Sequence, residues 1–185
     1  MYNTEAEFSK ALCDKMRRDG RIDYTRIESH GTANGIPDLY VMAGFNQYWV
    51  ELKNSKSASV NSLKTTIKVP WRPGQQAWFE QYRRHNICRY GVTLMSAADC
   101  VFIIPMDRIY ENNTVYFPWF IKYGLFDKLR LSIILDAAGI GMGNIYKTYR
   151  EAFLNFMDIV IGSYKLGAYD FDPDVAWENS FDWAT

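Results

Sequence analysis

Histidine and cysteine are scarce in this chain. Two histidines in 185 residues argue against histidine-rich hydrolytic sites and zinc cages, which draw their ligands from these residue types. The three cysteines, Cys13, Cys88 and Cys100, are odd in number, scattered and without metal-ligand spacing, which fits a reduced, cytoplasmic setting better than a disulfide framework. No apolar run has the length of a signal peptide core or a membrane span, so no membrane partner is expected. A surplus of one charge is also missing: 21 Lys and Arg face 21 Asp and Glu. That balance argues against indiscriminate binding to polyanions and leaves room only for a local basic surface. The charge is unevenly spread, with 14 basic and 10 acidic residues in 1–104 against 7 and 11 in 105–185. What the chain does have is apolar content, 48% hydrophobic and 16% aromatic, enough for one folded domain with a sizeable core.

The stretch over 35–53 organises the rest. Leu39-Tyr40-Val41 and Tyr48-Trp49-Val50 are apolar runs flanking Ala43-Gly44-Phe45-Asn46, and the pattern reads as a β-hairpin. Folded about the point between Gly44 and Phe45, it sets Asp38 opposite Glu51, and directly opposed residues bring their Cβ atoms to about 5 Å. Glu51 and Lys53 lie two apart and share a face, while Leu52 points the other way into a core. A Glu-x-Lys pair on an exposed strand is ordinarily solvated, and Pro-Asp is a common turn dipeptide. In register on one hairpin, two carboxylates and an ammonium instead suggest a site for a divalent cation. A hard cation such as Mg²⁺ or Mn²⁺ needs only one or two carboxylates besides waters and a substrate phosphate. Such a cation activates water and offsets charge on phosphorus, and an adjacent lysine can orient the water or stabilise the transition state.

These residues resemble the signature of the PD-(D/E)XK nuclease superfamily, with Pro37-Asp38 and Glu51-Leu52-Lys53 filling its positions. Gly35-Ile36-Pro37-Asp38-Leu39 and Arg72-Pro73-Gly74-Gln75-Gln76-Ala77-Trp78 resemble the virus-type replication-repair nuclease branch, which is related to archaeal and phage Holliday-junction resolvases. The similarity covers about residues 4–96. It implies an α/β, restriction-endonuclease-like αβββαβ core with a mixed sheet and a metal-dependent DNase activity. It further implies that Asp38, Glu51 and the Leu52 backbone carbonyl hold the metal, that Lys53 activates water, and that a first-helix glutamate and a glutamine after Arg72-Pro73-Gly74, here Gln75, complete the site.

Along the rest of the chain, a helix is expected over residues 4–18, capped by Asn3 or Thr4 and ending before Gly20. Phe8, Leu12 and Met16 form its buried stripe. Glu5 shares that face and is the preferred site glutamate, with Glu7, rotated away, second; both also suit a helix N-terminus as ordinary first-turn acids. A short strand at 22–27 leads into the polar loop 28–34, where Ser29 or Thr32 could meet a phosphate and His30 could reach the same place. Residues 54–66, with Lys56 and Lys64, read as a polar loop that either closes over DNA or covers the surface. A helix over 75–86 offers first-turn amides to a phosphate, and Arg72, Arg83, Arg84 and Arg89 form a modest basic patch. Strands are expected at 89–96 and 101–104.

Residues 1–104 are therefore expected to be the nuclease core, 105–168 a helical extension on the core or at a homodimer interface, and 169–185 an acidic aromatic tail. Gly139-Ile140-Gly141-Met142-Gly143 lacks the Lys-Ser/Thr of a phosphate loop and reads as a helix–helix turn. The tail carries Asp170, Asp172, Asp174, Glu178 and Asp182 among five aromatics and no basic residue; it could dock on a partner protein, lie on a basic groove, or cover a surface. The expected function is an endonuclease acting on branched DNA, a Holliday junction or a flap. The alternatives are a non-catalytic DNA- or partner-binding protein on the same fold, or a subunit active only in a larger assembly.

Overall fold

The structure, a computed structural model, describes residues 2–27, 35–43, 46–55, 66–85, 91–97, 99–116, 118–135 and 138. The hairpin tip, Ser29, His30, Thr32, Lys56, Lys64, Cys88, Arg89, the turn expected at 139–143, residues 144–168 and the 169–185 tail lie outside these residues.

Helix α1 (Glu5–Asp19) begins where the sequence signals it. Thr4 is the N-cap and accepts the Glu7 N–H at 3.1 Å, while the Glu7 carboxylate accepts the Asn3 N–H at 2.8 Å. This reciprocal pair satisfies one amide that the first turn leaves free and one of the segment leading into the helix. Gly20, at φ 60°, closes the helix in the left-handed conformation. Phe8, Leu12 and Met16 are buried.

Strands β1 (Ile22–Arg26), β2 (Leu39–Ala43) and β3 (Asn46–Ser55) follow as an antiparallel meander. The hairpin register is the one its midpoint implies, with Ala43 paired to Asn46 and Leu39 to Val50. After the short β4 (Thr66–Lys68), helix α2 (Gln75–Arg84) carries the chain across to β5 (Gly91–Ala97), which pairs parallel to β3. α1, β1, β2, β3, α2 and β5 are thus an αβββαβ core. Strands β6 (Cys100–Pro105) and β8 (Trp119–Lys122) extend it to a six-stranded mixed sheet in the order β1-β2-β3-β5-β6-β8, while β7 (Thr114–Tyr116) pairs with β4 in a separate two-stranded ribbon.

The stretch from 105 onward is therefore not a purely helical extension: after one 3-10 turn at Glu111–Asn113 it forms the strands β7 and β8. Trp119-Phe120-Ile121 are β-formers that complete the sheet edge at β6, a tertiary preference that no local helical pattern reveals. The short helix α3 (Tyr123–Lys128) and the helical residues 131–135 then cover one sheet face together with α1. Phe126, Leu129, Leu131, Ile134 and Leu135 share a core there with Phe8, Leu12, Met16, Leu39, Val41, Val50 and Leu52. These apolar residues spend their faces on the sheet. On the opposite face, Trp78 and Phe79 of α2 pack with Met95, Phe102, Ile104 and the β4–β7 ribbon. No helix among the described residues is long and apolar enough to cross a membrane.

Candidate active site

The period-2 alternation of β3 sends Val50 and Leu52 into the α1 core and leaves Glu51 and Lys53 on the α2 face. Both are buried nonetheless, Glu51 at 0% and Lys53 at 3% exposure. The β2–β3 ladder ends at the Leu39–Val50 pair. One step further, the Asp38 carboxylate takes the place of a strand partner and accepts the Leu52 N–H at 2.7 Å. The acid of the Pro-Asp dipeptide is thereby pinned to the backbone between Glu51 and Lys53.

The Lys53 ammonium and the Gln75 side-chain amide both donate to the same Glu51 oxygen, Oε1. The Gln75 carbonyl accepts the Arg72 N–H at 2.7 Å, which fixes the amide so that its NH₂ faces Glu51. Glu5, at the start of α1, lies 4.0 Å from the Lys53 ammonium. Glu7 is spent on the capping interaction. Glu5, Asp38, Glu51, Lys53 and Gln75 thus come together from α1, the β2 entry, β3 and the α2 N-terminus.

Burial, and then the neighbouring Asp38 carboxylate, push the Glu51 carboxyl up to about 7, with Lys53 pulling in the opposite direction. Glu5 is raised for the same first reason, burial, opposed by Lys53 and Arg72 and reinforced by Asp38. The folded chain therefore keeps a proton on Glu51 in a range where the unfolded chain has released it. Stability falls as pH rises from the ordinary carboxylate range through 7. Relative to Glu51→Gln, which cannot titrate, the wild type is expected to lose about 3 kcal/mol across that window. Denaturant titrations of both proteins in EDTA at acid and mildly alkaline pH measure it; parallel stabilities would contradict a carboxyl whose burial outweighs its pairing with Lys53.

Glu51 Oε2 is buried and has no hydrogen-bond partner. An unmatched buried carboxylate oxygen is costly, and a hard cation is the chemistry that relieves it. Among the described residues no cluster of three or more His, Cys, Asp or Glu forms a metal cage. Asp38 and Glu51, with the Leu52 carbonyl beside them, are instead the sparse oxygen set that suits a cation retaining waters and taking substrate oxygens. The donor set fits a divalent ion of that kind.

A backbone contact holds the two motifs together. Gly35, at φ 99°, packs against the Gly74 carbonyl at the start of α2, itself at φ 93°, and a side-chain carbon at Gly35 would collide with that carbonyl. The turn leading to Asp38 is thus seated on the turn that presents Gln75. Gly35→Ala combines a disfavoured dihedral with a backbone clash and is expected to cost about 3 kcal/mol or more, read from the thermal midpoint.

Among the described residues, the arginines of the expected basic patch sit at the two ends of α2. Arg72 sits at the site, whereas Arg83 and Arg84 lie at the far end of α2, about 15 Å of helix away. Both donate to Glu80, at 2.6 and 3.1 Å. Gln76, the neighbour of Gln75, is structural: its amide donates to the Tyr110 carbonyl and the Asn113 side chain and accepts the Tyr110 N–H. Sequence reasoning missed Asn54, whose amide donates to the Tyr2 carbonyl at 3.0 Å and to Ser96 Oγ at 3.3 Å. It ties the segment carrying Glu5 to β3 directly after Lys53. No local signal marks it, because its partners are distant in sequence.

Fold and site together define a class: a restriction-endonuclease-like αβββαβ core with a buried glutamate, a buried lysine and two partly exposed acids where the central hairpin opens. Among solved structures the chain is similar to Hjc, a Holliday junction resolvase of the archaeal hyperthermophile Archaeoglobus fulgidus. The identity is 11%, the TM-score 0.45, and the match covers 70% of this chain and 98% of that one. No family model matches the sequence, and no curated protein does.

Proposed function

We propose that the protein is a metal-dependent deoxyribonuclease, an endonuclease acting on branched DNA such as a Holliday junction or a flap, with Mg²⁺ or Mn²⁺ as cofactor. One observation carries the reading: Glu51 presents a buried oxygen without a donor beside the buried ammonium of Lys53. Burying a carboxylate this way costs stability, and the cost has a use if the oxygen is a ligand. Asp38, Glu51 and the Leu52 carbonyl would hold the cation. Bound there, it would supply Lewis-acid activation of water and neutralise charge at the phosphate.

The remaining roles belong to the chain itself. Lys53 donates to the attacking water or to a non-bridging phosphate oxygen, stabilising the charge that grows as the new bond forms. Gln75 keeps Glu51 Oε1 in place, its own orientation set by the Arg72 N–H. Glu5 keeps a second carboxylate within reach of the ammonium, and the exposed Arg72 side chain meets a phosphate next to the scissile one. The preference for branched DNA is supported by the resemblance of the Gly35–Leu39 and Arg72–Trp78 motifs to the resolvase-related nuclease branch.

Incubating end-labelled junctions, flaps, duplexes and single strands with Mg²⁺, Mn²⁺ or EDTA tests it. Cleavage is expected with either metal and not in EDTA, and a closed circular substrate is expected to be opened. Cutting that persists in excess EDTA would overturn the mechanism.

A further inference from the structure

Beside the site the sheet carries aromatic rings that the proposed chemistry does not use. Tyr40 lies two residues from Asp38 and Trp49 two from Glu51, so both rings stand on the same sheet face as the acids, and they are paired across the β2–β3 ladder. Their centroids are 4.9 Å apart. From Trp49 the row continues to α2, with Trp78 at 4.9 Å and Tyr82 at 6.1 Å, and Tyr82 stacks on Trp78 at 3.9 Å and 20°. Trp78 is the ring that anchors α2 on the sheet and is buried. Tyr40, Trp49 and Tyr82 are only half-buried, with Trp49 and Tyr82 at the margin of that core cluster.

Charge flanks this row at both ends. Arg72 precedes α2, and Arg83 and Arg84 close it, their side chains 48% and 73% exposed. Glu80 is a single carboxylate shared by the two guanidiniums, so that end keeps a net positive charge. Partly exposed rings between cationic groups, starting at the proposed phosphodiester-cutting centre, are the combination that binds unpaired strands. Bases stack on the ring faces while arginines meet the phosphates, and each stacked base contributes about 1–3 kcal/mol. A fully paired duplex offers no free base face and cannot use the row.

We propose that Tyr40, Trp49 and Tyr82 form a stacking rail for unpaired DNA bases adjoining the cleavage site, so that the substrate carries a single-stranded segment, as a flap does and a fully paired four-way junction does not. The inference rests on the nuclease reading above, but its test does not need turnover.

The probe is short oligo(dT), titrated in EDTA at low salt against wild type, Tyr40→Leu, Tyr82→Leu and Trp49→Phe, with a blunt duplex as control. Oligo(dT) is expected to quench tryptophan fluorescence, and the quench is expected to shrink sharply in Trp49→Phe, which keeps a ring but loses that fluorophore. Each Tyr→Leu variant is expected to bind oligo(dT) about tenfold more weakly, with duplex affinity unchanged. Unaltered oligo(dT) affinity in folded Tyr→Leu variants overturns the rail. If those variants do not fold, the quench decides, and a wild type that oligo(dT) does not quench overturns it equally. Cleavage of flaps by wild type is scored in parallel. Metal-dependent cutting without stacking removes this inference and leaves the nuclease reading; stacking without cutting does the reverse.

Discussion

Asp38→Asn and Glu51→Gln are each expected to abolish cleavage while leaving the fold intact. The argument rests on what each carboxylate already does in the structure. Asp38 accepts the Leu52 N–H, and an asparagine carbonyl can accept it equally. Glu51 Oε1 accepts from Lys53 and Gln75, and a glutamine carbonyl can do the same. The other atom changes in each case, from an anionic oxygen to an NH₂ group. At Glu51 that atom is the oxygen without a partner, so the substitution puts donors where a cation would be held. Losing one charged ligand of two removes several kcal/mol of transition-state stabilisation, or about 10³-fold or more in turnover. Initial rates on the preferred branched substrate at saturating Mg²⁺, with circular dichroism to verify folding, measure it. A folded variant cutting within about tenfold of the wild type would show that its carboxylate is not a ligand.

Lys53→Ala is expected to slow turnover by about 10²-fold or more, the scale for losing a preorganised stabiliser of developing charge. Metal affinity should move the other way. The ammonium is buried against Glu51 and lies 4.0 Å from Glu5, so its removal takes a positive charge away from the cation's place. Calorimetry with Mg²⁺ at mildly alkaline pH should give equal or tighter binding. Lost Mg²⁺ binding with surviving activity would reassign the lysine to holding the ligands in place. The two experiments separate the roles: the acids act through the cation, the lysine beside it.

Much of this arrangement was legible before folding because its causes are local. Thr4, one of the two N-cap candidates, and Gly20 mark the ends of α1 through capping chemistry that operates within one turn. The choice of Glu5 over Glu7 as the acid near the site follows from helical periodicity, and the structure spends Glu7 on the cap. The hairpin register follows from its turn, and with it the meeting of Asp38, Glu51 and Lys53. Less legible were the β4–β7 ribbon and the β8 edge strand, whose pairings join residues far apart in sequence. Of the basic residues read as one patch, Arg72 and the Arg83–Arg84 pair stand at opposite ends of α2, and Arg89 lies outside the described residues.

The sequence by itself determined the alternation that sorts β3 into a core face and a chemical face, the helix caps, and the spacing that sets two acids and a lysine on one hairpin. These depend on backbone periods of 2 and 3.6, which every chain shares. Only the tertiary structure decided that Glu51 is sealed from water with one oxygen lacking a donor, that Gln76 is spent on Tyr110 and Asn113, and that Gly35 seats the first motif on the second. It also decided that Tyr40, Trp49 and Tyr82 form one row. Each of these depends on surfaces from distant segments excluding water together, and desolvation belongs to the assembled packing rather than to any stretch of chain.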